Sequence, residues 1–134
     1  MLARSGNSRF VLVRRVWITI DVAIVVLFVG VGRSVHDHGV NVMGMASTTW
    51  PFAVGLAIGW LVPVAHRRSG ASVIDGLRVC LVAVPVGMIL RVVSGQGIAA
   101  AFVLVAFGFL GATMLGWRML HAGVQRWKAA NSSA

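Results

Sequence analysis

Asp21 is a carboxylate inside the apolar run Val16–Gly32, six residues past Arg15, and the run holds no other charge. In lipid a carboxylate is costly unless something pairs with it, so this residue predicts a buried polar site. Its side chain is too short to snorkel, and it lies ~9 Å along a helix from Arg15 at 1.5 Å rise per residue. The helical row it heads continues through Val25, Phe28 and Gly32. Arg78, near the same end of a later apolar run, and Arg118, which closes the last one, are the two cations placed to meet it. The expectation is an Asp21–Arg78 or Asp21–Arg118 pair that fixes helix register. A carboxylate that handles a proton or another cation is the alternative from the same residues.

A second set of candidates gathers at the opposite end. Arg33, His36, Asp37 and His38 follow the first run, and Arg91 lies at the corresponding end of the third. His-x-His beside a carboxylate, with Met43 and Met45 behind it, has the side-chain types of a metal site. Proximity alone does not supply convergent geometry, and no metal is expected. A polar cluster that seals the helix ends, or docks a phospholipid phosphate between Arg33 and Arg91, fits these residues better. His66 and His121 share the other face and form a haem pair by ligand count only; no C-x-x-C-H occurs and no cofactor is expected. Nucleophile elbow, P-loop and H-E-x-x-H are all absent. With three acids, no glutamate and no tyrosine, the chain carries little for general acid–base chemistry, and it is not expected to be an enzyme.

The elements that must hold these residues follow from composition. The 134 residues are 58% hydrophobic and 11% charged, with a mean hydropathy of +0.89. A soluble domain of this size has no interior for so much apolar surface, so the class is integral membrane, all-α, one domain. The formal net charge is +9, but the basic residues cluster at the ends of apolar runs. Anionic lipid headgroups are therefore the expected partner, and nucleic acid is not. Cys80 is the lone cysteine and reads as a packing residue. The arginines before the first run resemble a secretory signal, but no cleavage site follows Gly32, so an uncleaved first helix is expected.

Four transmembrane helices are predicted, over about 16–32, 49–65, 72–93 and 97–117, each near the ~20 residues that cross a ~30 Å hydrocarbon core. Residues 1–15 form a basic cytoplasmic segment, 16–120 the membrane domain, and 121–134 a cytoplasmic tail whose polar part, Gln125–Ala134, is expected to fray. Arg4, Arg9, Arg14 and Arg15 at the start, Arg67 and Arg68 in the second connection, and Arg118, Arg126 and Lys128 at the end place both termini inside. Trp17 and Trp117 fall at the inner interface and Trp50 at the outer one, whereas Trp60 lies deeper than a belt residue should. Pro51 falls in the first turn of the second segment, where proline is tolerated.

Small residues mark the packing faces. Gly55 and Gly59 form G-x-x-x-G, Ala83 and Gly87 a matching row that leads to Arg91, and Gly108, Ala112 and Gly116 a double row. Contact inside one bundle is the expected use, with a dimerisation face second. Arg78 and Arg91 bracket twelve apolar residues, ~18 Å of helix against a ~30 Å core, so both are expected to reach toward the interfaces. On the Ala83/Gly87 row, Arg91 should instead face a neighbouring helix.

Asp21, Gly32-Arg33-x-x-His36, Pro51-Phe52, Gly59-Trp60, Gly87-x-x-x-Arg91 and Gly116-Trp117-Arg118, in this order and spacing, resemble the DUF3054 family over about residues 16–120. Its members are small four-helix membrane proteins, mainly of actinobacteria and haloarchaea, with no assigned function. The resemblance implies a bacterial plasma-membrane home and treats Asp21, Arg33, His36, Arg91 and Arg118 as a set; it supplies no mechanism. The expected function is a non-catalytic membrane protein, an accessory or assembly subunit of a larger complex or a homo-oligomer. The rival is a small transporter or proton-coupled carrier using Asp21 and the arginines. A lipid-headgroup enzyme with His36 as acid–base is the third reading.

Overall fold

The computed structural model describes residues 3–35, 41–62 and 70–132, with side chains from residue 11 onward. Among the described residues the chain is all-helical: α1 is Ala3–Val35, α2 Val42–Leu61, α3 Val73–Val93 and α4 Ala100–Asn131. The helices run up, down, up, down. Each packs on its neighbours in sequence, and α1 closes the ring against α4. Three of them, α2, α3 and α4, are long and apolar enough to cross a membrane.

Several helices are longer than hydropathy predicts. The second begins at Val42 rather than near Thr49 because Asn41 caps it, its Oδ1 accepting from the Gly44 amide at 2.6 Å. Ser47 and Thr48, which read as loop, turn their hydroxyls back onto the Gly44 carbonyl at 3.0 and 2.9 Å and sit within the helix. Pro51 is therefore mid-helix, not in a first turn. Proline has no N–H to offer the carbonyl four residues back, so the Ser47 oxygen is left for another donor. Gln96 supplies it from the α3–α4 turn, at 3.0 Å.

The fourth helix starts at Ala100, after a turn in which Gly95 and Gly97 take positive φ. It runs to Asn131, so the segment expected to fray is helical up to that residue, and Arg118 lies mid-helix instead of at its end. At 1.5 Å per residue α1 and α4 are each about 50 Å long against about 30 Å for α2 and α3. The start of α1 and the end of α4 share one end of the molecule, where the Trp17 and Trp117 rings stack 4.9 Å apart.

The closest pairing is α2 on α3, set by small residues. A Cβ on Gly55 would strike the Ala83 carbonyl, and one on Gly59 would sit 3.1 Å from that of Val79. Gly87 leaves room for the Phe52 ring. Gly55, Gly59, Ala83 and Gly87 are thus bundle contacts. The Gly108/Ala112/Gly116 row is not: Gly108 and Ala112 are exposed, and nothing lies within 4 Å of a Cβ placed on Gly108 or Gly116. The face that α4 buries is Ala106, Leu110, Met114 and Arg118, roughly the other side of the helix. Phe28, Phe52 and Phe102 meet in the core, with Val25, Leu56 and Val84 buried among the same cluster.

Candidate functional site

The buried row of α4 ends at Arg118, and that row carries its guanidinium inward to α1. Asp21 and Arg118 are both 0% exposed. Their contact is a two-pronged pair: Nη1 donates to Oδ1 at 2.9 Å and Nη2 to Oδ2 at 2.7 Å. Such forks are the strong, orientation-fixing form of the carboxylate–guanidinium interaction. Two indoles complete the acceptor shell. Trp117 Nε1 donates to Oδ1 and Trp60 Nε1 to Oδ2, each at 3.1 Å. Each carboxylate oxygen thus takes two donors, the full capacity of an ionised aspartate.

The guanidinium is held as firmly. Its Nε donates to the Gly70 carbonyl and its Nη1 to that of Met114, both at 2.9 Å. Its Cζ lies 4.2 Å from the Trp117 ring centroid, a cation–π contact. Two glycines make the space. Gly70, at φ +79°, turns its carbonyl to the guanidinium beneath the Trp60 ring, where any side chain would collide. A Cβ on Gly76 would meet Arg118 Cδ at 2.6 Å. One site therefore ties α1, α2, the segment before α3, and α4, with α3 packed against it through Gly76.

Of the two cations proposed for Asp21, Arg118 makes the pair. Arg78 lies 3.9 Å from Asp75 on its own helix, with its side chain 45% exposed. Asp75 is the third carboxylate of the chain and sequence reasoning passed over it. It is 1% exposed, and neither of its oxygens has a hydrogen-bond partner among the described residues. Its amide donates to Ser72 Oγ at 3.1 Å, so the S-x-x-D spacing before an apolar run was the available signal. Trp60 was noticeable only as a tryptophan too deep for an interface.

At the other end, Arg33 Nη1 donates to Thr48 Oγ1 at 3.2 Å, and its guanidinium fills the space above Gly44. Arg91 lies over the Phe102 ring of α4 at 4.6 Å and donates to Gln96 Oε1 at 3.0 Å. It faces a neighbouring helix, as its row requires. Gln96 joins Arg91 to the Ser47 carbonyl beside Thr48, so the two arginines belong to one chain of polar contacts across α1, α2 and α3. His36, Asp37 and His38 lie outside the described residues, as do His66, Arg67 and Arg68. Among the described residues no three His, Cys or Asp side chains group as metal ligands.

The tryptophans divide. Trp50 is exposed at the α2 surface, consistent with an interfacial ring. Trp117 is instead a half-buried donor to Asp21, and Trp17 is stacked on it with an edge contact to His121 at 4.8 Å.

An up-and-down helical fold with a buried ion pair and three membrane-length helices defines a small helical protein of membrane character. Its family follows from the sequence: residues 18–121 match the model described as "Protein of unknown function (DUF3054)", and the chain belongs to that family. The match takes in Asp21, Trp60, Asp75, Arg91 and Arg118. No curated protein and no solved structure matches the chain.

Proposed function

We propose that this protein is a non-catalytic, multi-pass component of a bacterial plasma membrane, acting as an accessory or assembly subunit of a larger complex. All four helices cross, α1 doing so over Val16–Gly32 with its carboxylate neutralised by Arg118, and both termini are cytoplasmic. The observation that carries this reading is the saturation of Asp21. A carboxylate with four donors and no exposure has no lone pair left for a substrate or an incoming proton. Such a site locks four segments in one register. The outward Gly108/Ala112/Gly116 row supports a lateral partner, because it leaves α4 smooth where another helix can approach.

The test is isolation of the native protein in a mild detergent. A co-purifying membrane protein or a stable homo-oligomer is the expected result. Monomer alone, with no bound protein or lipid, overturns the subunit reading. Fusions of a periplasm-active and a cytoplasm-active reporter to each terminus check the topology, and activity of the periplasmic reporter at either end contradicts it.

The rival reading is a small carrier, and one observation favours it. Asp75 is buried and, among the described residues, accepts no hydrogen bond, with the half-exposed Arg78 standing 3.9 Å off, which leaves its oxygens open to a passing cation. Proteoliposome flux abolished in Asp75→Asn and retained in Asp21→Asn supports a carrier and places its cation at Asp75. Absence of any cation-driven flux in the unmutated protein removes it.

A further inference from the structure

A groove of about 320 Å³ runs along the outside of the molecule between α1 and α2. Its walls are Ile18, Val22 and Val26 on α1 and Ala53, Ala57 and Leu61 on α2, almost wholly apolar. The two alanines open it: at i and i+4 they present one methyl each where larger side chains would close the gap. Among the described residues the charged one that lines it is Arg14, and Arg14 is fixed in place. Its Nη2 donates to the Trp60 carbonyl at 3.0 Å, and its Cζ lies 5.8 Å from the Trp60 ring centroid. Arg15 follows it on the same turn, exposed.

We propose that this groove binds one anionic phospholipid, with an acyl chain along α1 and α2 and the phosphate at Arg14. The proposal rests on the membrane reading above. Length agrees: Arg14 to Val26 spans about 18 Å of helix, close to the half-thickness of a ~30 Å hydrocarbon core, which is one acyl chain deep. Shape agrees as well. A helix about 10 Å across occupies well over 1000 Å³ in the same length, so it would lie over the groove and leave it empty. Charge decides the headgroup. The first 20 residues hold four arginines and no acid, and the positive charge of Arg14 at the groove favours an anionic headgroup. The groove also adjoins the Asp21 site. Trp60 forms part of its wall and donates to Asp21, so a bound lipid would brace the indole that completes the ion pair.

The experiment uses the full chain, delipidated in mild detergent and offered equal amounts of phosphatidylglycerol and phosphatidylcholine with identical acyl chains. Native mass spectrometry counts the retained lipid. Retention of one phosphatidylglycerol is expected, favoured about fivefold, the factor that corresponds to about 1 kcal/mol for one basic side chain at an anionic lipid. Arg14→Gln should keep lipid but bring that ratio near one. Ala57→Phe, at an exposed position, should fill the groove and lose both lipids at an unchanged unfolding temperature. Ile89→Phe, at an exposed position of α3 away from the groove, should behave as the unmutated chain. Equal retention of the two lipids by the unmutated chain, or unchanged phosphatidylglycerol retention in Ala57→Phe, overturns the proposal. Membrane fractionation of the expressing cells, before detergent is added, separates the two readings. Release of the chain by a carbonate wash overturns the membrane reading and this one together; lipid indifference in an embedded chain overturns this one alone.

Discussion

Consider the pair Asp21→Asn and Arg118→Gln, made singly and together. Either single change leaves one buried charge with no counter-ion, and losing one partner of a buried pair costs about 3–5 kcal/mol. The two costs would sum to about 6–10 kcal/mol if the residues acted independently. They do not act independently, because they share two hydrogen bonds, at 2.7 and 2.9 Å, in a site neither exposes. The double variant buries no charge at this site. The amide that replaces the carboxylate keeps one carbonyl oxygen for the two indoles that donate to Asp21, and the indole left without an acceptor costs about 1–3 kcal/mol. The expected double loss is therefore no larger than either single loss, with a coupling energy of about 3 kcal/mol or more. Unfolding of the reconstituted protein in a detergent titration, followed by far-UV circular dichroism, measures all four corners of the cycle. Additive losses, or a single loss below about 1 kcal/mol, would refute the argument that this pair holds the bundle.

Other sites give sharper contrasts. Gly55→Ala should destabilise by about 1–3 kcal/mol, since its new methyl meets the Ala83 carbonyl, while Gly108→Ala on the open face should fall within about 0.5 kcal/mol of neutral or stabilise; thermal unfolding compares them. Asp75→Asn removes no hydrogen bond of that carboxylate and should leave stability within about 1 kcal/mol of the unmutated chain, unlike Asp21→Asn. A loss as large as that of Asp21→Asn would show that the 3.9 Å contact of Asp75 with Arg78 is structural. Trp60→Phe removes one donor to a charged acceptor and should cost about 1.5–3 kcal/mol in the same unfolding assay, and a neutral result would mean the indole bond is dispensable.

The membrane character, the helix count and the importance of Asp21 were legible because a charge in an apolar run is costly wherever the helix turns. Which cation answers it was not. Arg78 and Arg118 both stand near the right end in sequence, and the choice depends on which face of each helix turns inward. That choice is made by rows such as Ala106-Leu110-Met114-Arg118, whose apolar members differ little from those of the opposite side. The small-residue pattern of Gly108, Ala112 and Gly116 pointed the wrong way for the same reason: small residues permit close approach without requiring it. Asp75 was missed because an acid in the first turn of a helix ordinarily faces water and needs no account. Gln96 was invisible because the acceptor that ties it to α2 is a backbone carbonyl, freed by a proline that lies mid-helix rather than in a first turn.

The central claim is that Asp21 is permanently held by Arg118, Trp60 and Trp117. Hydrogen exchange at the indole N–H groups of the reconstituted, 15N-tryptophan-labelled protein tests it most directly. The account predicts that Trp60 and Trp117 exchange together and far more slowly than Trp127, which is exposed near the end of α4. Exchange of either indole at the Trp127 rate would contradict it, because a site that opens so readily to water locks nothing.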